Sequence, residues 1–455
     1  MHVVSPGTRC WLTAGAGMTQ RQMHLVGYLI AGPTWHNNGS WRHPESDADL
    51  ALDPHRYERI AQILEEGLFD ALFFVDVLTV FDTYGGSFAG QVAGPGQMWY
   101  LDPMLLLAAM ARKTRHIGLA GTMSTAFYHP FHIARSFATL DHMSQGRAAW
   151  NVVTSANSRE AQNYGLDKLM PRDLRYDHAD EVMEACDALW NSWEEGAIVY
   201  DRKAGIYADT SKVHYVDYAG KWVKTRGPLP TPRSPQGRPV IMQAGSSERG
   251  RQFAARWAEV VFTLQHEKSH MQAFYTDLKT RMERLGRNPD HCLITPAVDV
   301  VIGETESIAR ERAEYLNSLV SADVGVCDIS NGIGIDLSQY PMDQPLQDME
   351  MTEGARGVLD VILQGSRAAN LTLREAGYRY GVSQLTPALV GTPEMIADRL
   401  QDMFESRCCD GFVVCPSITP GSYVQFVKTV VPELQRRGIY RTAYSGRVLR
   451  DRIQG

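Results

Sequence analysis

From Met23 onward, short apolar runs alternate with amphipathic stretches, and the pattern predicts strand and helix in turn. Strands are predicted at Met23–Ile30, Ala71–Val77, Ile117–Ser124, Ala148–Ser155, Pro239–Gly245, Val260–Gln265, Cys292–Ile302 and Gly411–Pro416. Runs such as A-L-F-F-V-D-V are almost continuously apolar, as parallel strands buried on both faces must be. Between and after them, a 3.6-residue period predicts helices at Pro54–Leu68, from Asp102-Pro103, and at Pro130–Met143, Arg172–Trp193, Ser247–Ala258, His270–Leu285, Glu306–Leu319, Pro393–Ser406 and Tyr423–Arg437. Eight such units predict a TIM (β/α)8 barrel of class α/β. A doubly wound open sheet is the runner-up, but no G-x-G-x-x-G follows the first strand.

Two long segments break the rhythm, at about 194–234 and 321–382, the second with a helical piece near Gly354–Leu363. Both are expected as insertions on the C-terminal face of the barrel, where they build or cover a site. Residues 1–22 carry no fold pattern and are expected to be a disordered leader or upstream extension, with Met18 or Met23 as the start. One barrel domain then spans 23–440, and 441–455 forms a C-terminal tail.

Composition narrows the classes of function. A chain of 455 residues with 44% hydrophobic and 21% charged residues matches a soluble globular protein. A net charge of -7 argues against binding to nucleic acid or to an acidic membrane, and no apolar run reaches transmembrane length. The seven cysteines form no C-x-x-C pair and no Cys/His group with zinc spacing, which fits reduced thiols in the cytoplasm. His129 and His132 share a helix start, but no further ligand motif accompanies them, so no metal site is expected.

The candidate chemistry lies at the strand ends. In R-P-V-I-M-Q-A-G-S-S-E-R-G-R-Q (Arg238–Gln252), a strand ends in Gly245, Ser246 and Ser247 and a helix begins. Such a junction suits an anion, because the glycine lets backbone approach and the helix N-terminus offers free N–H groups. The alternative is that one serine simply caps the helix. A P-loop is excluded, since Arg251 and Gln252 stand where Lys and Ser or Thr are required. Asp76, Thr122, Asn151, Thr154, Ser155 and Gln243 also end apolar strands, and a barrel would aim them at one mouth. Uncharged amides and hydroxyls there suit a planar heteroaromatic ring.

Several stretches carry a family resemblance: W-R-H-P (Trp41–Pro44), F-F-V-D-V-L (Phe73–Leu78), G-T-M-S-T (Gly121–Thr125), W-N-V-V-T-S (Trp150–Ser155), R-Y-D-H-A-D-E (Arg175–Glu181), Q-A-G-S-S-E-R-G (Gln243–Gly250) and G-I-D-L-S (Gly334–Ser338). Together they resemble the nitrilotriacetate monooxygenase and dibenzothiophene-sulfone monooxygenase branch of the bacterial-luciferase-like flavin monooxygenases. The resemblance implies reduced FMN as co-substrate, a separate NAD(P)H-dependent flavin reductase as partner, O2, a small organic substrate and a homodimer or tetramer. It implies flavin-ring contacts at Asp76 and Thr122, and phosphate contacts at Tyr176, Ser246 and Ser247. Arg172 stands where relatives often have His, and could also grip phosphate. Thr122 and Asn151 match a pair that polarises dioxygen, although Asn151 could instead only hydrogen-bond the ring. The alternatives are a deazaflavin-dependent dehydrogenase of the same superfamily and a metal-dependent barrel hydrolase. An aromatic-rich set of loops, with Phe81, Phe88, Trp99 and Tyr100, favours a planar or sulfur-containing substrate over a polycarboxylate. His36 and His43 are candidates for the pocket wall.

Overall fold

The computed structural model describes residues 21–346, 349 and 371–454, apart from Trp35 and Gln97. Eight strands are laid down in chain order as β1 (His24–Ile30), β2 (Ala71–Val75), β3 (Gly118–Ser124), β4 (Ala148–Val153), β5 (Val240–Gln243), β6 (Val260–Thr263), β7 (Leu293–Ile302) and β8 (Gly411–Pro416). Each pairs in parallel with the next, and β8 pairs back onto β1 to close the barrel. These are the predicted strands, trimmed by at most two residues at an end. An unexpected strand, Ala388–Gly391, adds to the outer half of β7.

Tyr28, Phe73 and Phe262 come from β1, β2 and β6 and meet across the interior with ring centroids 6.0–6.5 Å apart. The barrel is therefore filled by side chains. Outside it, Trp150 of β4 packs against Phe137 and Trp190 at 5.6 and 6.3 Å. Side chains alternate along a strand, so the neighbouring Asn151 faces inward. Helix starts follow their local signals: Asp53 and Asp102 cap Pro54–Glu66 and Pro103–Lys113 by accepting from the N–H groups of His55 and Met104.

The two insertions differ in placement. Residues 194–234 follow the helix Arg172–Trp190 rather than a strand, so they start at the far end of the barrel. They run beside it instead of over its C-terminal face, which corrects the expectation. The Glu181 carboxylate, midway along that helix, accepts from the N–H groups of Lys221 and Trp222 at 2.9 Å, and the Tyr218 hydroxyl donates to Glu184 at 2.9 Å. The second insertion also follows a helix, Glu306–Ser318, but that helix ends against the loop after β1, where a Cβ on Gly39 would lie 2.4 Å from the Leu319 carbonyl carbon. Its helices Ala322–Ile333 and Leu373–Ser383 cross so closely that a Cβ on Gly325 would lie 1.9 Å from the Gly377 carbonyl oxygen. The piece expected near Gly354–Leu363 lies outside the described residues.

Both chain ends join the fold further than expected. Arg21, placed in the leader, donates to Asp410 at 2.8 Å and stacks over Phe404 at 4.2 Å, because Asp410 is a buried carboxylate that needs cations. The segment assigned as a tail ends in the helix Leu449–Gln454, which buries Leu449 and Ile453. Its Arg450 pairs with the buried Glu259 at 2.6 Å.

Candidate active site

A cavity of about 370 Å³ opens at the C-terminal ends of β2, β4 and β5. Its lining includes Asp76 just past β2, Thr154 and Ser155 past β4, and Gln243 and Gly245 at the end of β5. The far wall comes from the second insertion, through Asp328, Asn331 and Tyr380. Of the polar strand ends expected at one mouth, Asp76, Thr154, Ser155 and Gln243 are gathered there, whereas Thr122 and Asn151 are not among the lining residues.

The junction after β5 is built around glycine. A Cβ on Gly245 would lie 2.6 Å from the Tyr176 hydroxyl oxygen, and one on Gly250 would lie 2.9 Å from it. Tyr176, from the helix Arg172–Trp190, is buried with its ring 5.7 Å from Phe253 and its hydroxyl seated against the turn. Ser247 caps the helix Glu248–Trp257, its hydroxyl oxygen accepting from the Gly250 N–H at 3.1 Å. Ser246 is exposed. The two serines therefore divide the alternatives between them: one is a cap, and the other presents a free face at a helix N-terminus.

Below the cavity, the Thr122 hydroxyl donates to the Phe74 carbonyl at 2.6 Å, and the Asn151 side-chain N–H donates to Thr122 Oγ1 at 2.8 Å. With its hydrogen committed to Phe74, Thr122 orients Asn151. Asn151 Oδ1 and Gln243 Oε1 are buried with no hydrogen-bond partner among the described residues. A buried acceptor left open in this way is costly. Asn151 pairs in register with Met242 and Val152 with Gln243, so the two oxygens lie on opposite faces of the sheet. It is Gln243 that lines the cavity and marks a place there for a donor-bearing ligand.

Asp76 is pushed up to about 7, by burial first and then by the nearby Asp102 and Glu160 charges. Arg172 is exposed and does not line the cavity. One turn later, the half-buried Arg175 donates to the Ser155 carbonyl at 2.5 Å, where Ser155 adopts a left-handed φ of 57°. Helical spacing thus turns the second arginine, not the first, toward the site, and R-Y-D-H-A-D-E contained that signal. Glu160, also missed, closes a capping box with Asn157 that N-x-x-E spells out. Asp328, a single carboxylate in the apolar run V-G-V-C-D-I, was legible only as an anomaly.

His36 is buried against the Tyr28 ring at 4.4 Å and bonded to Thr386 at 2.9 Å, and burial pushes it down to about 3, so it stays neutral. His129 caps the helix Pro130–Ser144. Among the described residues no group of three or more His, Cys, Asp or Glu side chains could hold a metal. Phe81 lines the cavity with Trp99 against it at 5.6 Å, whereas Phe88 and Tyr100 are exposed.

Residues 34–410 match the family model described as luciferase-like monooxygenase. The chain is 48% identical over 439 residues to dibenzothiophene-sulfone monooxygenase of Rhodococcus erythropolis (strain XP), covering 95% of this chain and 97% of that protein. It is 41% identical over 443 residues to nitrilotriacetate monooxygenase component A of Aminobacter aminovorans, covering 95% and 96%. Among solved structures, riboflavin lyase with modified FMN and riboflavin superposes with a TM-score of 0.87 at 31% identity, covering 95% and 96%.

Proposed function

Because the chain belongs to the luciferase-like monooxygenase family, we propose that it is the oxygenating component of a two-component system. In this reading it takes up FMN reduced by a separate NAD(P)H-dependent flavin reductase and uses O2 to oxygenate a small organic substrate, with an organosulfur compound the favoured class. The observation that carries the reading is the mouth itself: a glycine-built turn closed by the Tyr176 hydroxyl, beside the orphaned amide oxygen of Gln243. The solved relative that contains modified FMN supports a flavin in such a barrel. A homodimer or tetramer and a cytoplasmic location belong to the same proposal.

Tyr176, Ser246 and the first N–H groups of the helix Glu248–Trp257 would hold the phosphate at a positive dipole end. Ser247 serves them by fixing the helix start. Asn151 would accept from a ring N–H group, and Asp76 would lie at the ring edge. Reduced FMN supplies two electrons and two protons, so that one atom of O2 enters the substrate and the other leaves as water. Asn151 retains one side-chain N–H beyond the one given to Thr122, and that donor can stabilise charge developing on oxygen where water is excluded. Thr122 is then a positioning residue.

The reaction is tested by reconstitution with a purified flavin reductase, NADH, FMN and dibenzothiophene sulfone under 18O2. One labelled oxygen per product molecule is expected. Labelled product formed equally well without the reductase or FMN would overturn the reading.

A further inference from the structure

The wall contributed by the second insertion contains a carboxyl group that nothing in the flavin-binding scheme requires. Asp328 lies on the helix Ala322–Ile333, lines the cavity and is 4% exposed. Its Oδ1 accepts from the Gln91 amide at 3.1 Å, whereas its Oδ2 is buried with no hydrogen-bond partner among the described residues. The group is packed tightly: a Cβ on Gly96 would lie 2.8 Å from Oδ2 and 2.9 Å from Oδ1. An ionised carboxylate in this position would leave one oxygen desolvated and unpaired, which is the costly arrangement. A neutral carboxyl, with its hydrogen on Oδ2, has one donor to give and Oδ1 already satisfied.

The rest of the wall points the same way. Asp76 and Glu160 line the cavity too, and no Lys or Arg is among its described lining residues. A second anion entering here would meet the Asp76 and Glu160 carboxyls with no Lys or Arg among the described lining residues to offset them. A neutral molecule bearing a hydrogen-bond acceptor would meet a donor held in place by Gln91.

We propose that Asp328 is a specificity-determining residue that donates a hydrogen bond from its protonated carboxyl to an acceptor oxygen of a neutral substrate, such as a sulfonyl or carbonyl oxygen. This inference rests on the monooxygenase reading for its reaction but not for its binding test. The groups facing Asp328 leave its neutrality intact. Gln91, from the helix Ala89–Ala93, is uncharged; Tyr380, from the helix Leu373–Ser383, and the adjacent Cys327 are both held above their ordinary values and stay protonated. Asp76 and Glu160 are fellow lining carboxyls and can only disfavour a further negative charge. Burial pushes Asp328 up to about 7 against the smaller downward pull of Gln91. The sign follows: the donor is present below pH 7 and is lost above it.

The test measures the dissociation constant of dibenzothiophene sulfone by its fluorescence, with the full chain and FMN, at pH 6 and pH 8.5. For the unaltered protein, binding is expected to weaken by about tenfold between the two, the effect of losing one hydrogen bond and gaining a facing charge. Asp328→Asn keeps a donor and is expected to bind tightly at both values. Asp328→Leu is expected to bind about tenfold more weakly than the unaltered protein at pH 6 and to lose the pH dependence. Three outcomes overturn the proposal: no sulfone binding at pH 6, equal affinity in Asp328→Leu, or an unaltered pH dependence in Asp328→Asn, which would assign it to Asp76. Reduced-FMN affinity measured on the same variants separates this failure from failure of the flavin reading, which alone would abolish flavin binding in every form.

Discussion

The difference between Ser246 and Ser247 shows how much chemistry one position along a turn decides. Ser247 faces back into its own helix and is held there by the Gly250 N–H. Ser246 is free to meet an anion. Ser247→Ala is therefore expected to cost about 1 kcal/mol of stability through loss of the cap. Ser246→Ala is expected to leave the denaturant midpoint unchanged and weaken reduced-FMN binding about tenfold through loss of one charge-assisted bond. Equilibrium unfolding and anaerobic flavin titration check the pair, and the reverse assignment of effects would refute it. The motif Q-A-G-S-S made both serines legible as candidates, but not which was the cap, because that depends on which residue leaves helical dihedrals. Arg172 teaches the same lesson: it reads in sequence as a phosphate-gripping cation, but the helical phase leaves it exposed and turns Arg175 onto the Ser155 carbonyl instead.

At the scale of elements, the second insertion is held together by backbone meeting backbone. The glycines that make it resemble a loop in sequence are what let the helices Ala322–Ile333 and Leu373–Ser383 cross. This is why two helices were missed there while the barrel helices, with ordinary amphipathic periods and caps, were found nearly to the residue. Gly325→Ala forces a Cβ against the Gly377 carbonyl oxygen, which no side-chain rotation relieves. It is expected to destabilise the protein by about 1–3 kcal/mol, as overpacking does, and to weaken sulfone binding through displacement of Asp328 and Tyr380. Urea unfolding and the fluorescence titration read both effects; an unchanged midpoint would contradict the close crossing. The composition of the first insertion resembles that of a mouth loop, but Glu181 and Glu184 of the helix Arg172–Trp190 hold its Lys221, Trp222 and Tyr218 along the outside of the barrel.

For the whole molecule, the barrel separates stability from chemistry. At the end opposite the cavity, Arg450 donates to the Gln236 and Pro239 carbonyls and pairs with Glu259, tying the final helix beneath the starts of β5 and β6. A short, charged R-D-R segment gives no sign of this in sequence, because its partners lie some two hundred residues earlier. At the cavity end, Asp76, Thr154, Ser155 and Gln243 stand at the ends of β2, β4 and β5, and their convergence was legible as soon as eight parallel strands were assigned. The function proposed for this end is to bind reduced FMN and direct its reaction with oxygen. It is tested most directly by anaerobic titration of the pure protein with photoreduced FMN, followed by stopped-flow mixing with oxygenated buffer. A saturable reduced-flavin complex is expected, with reoxidation that passes through an absorbing species absent from free flavin and an oxygen reaction slower by about a hundredfold in Asn151→Ala. Absence of reduced-flavin binding, or reoxidation indistinguishable from that of free FMN, would contradict it.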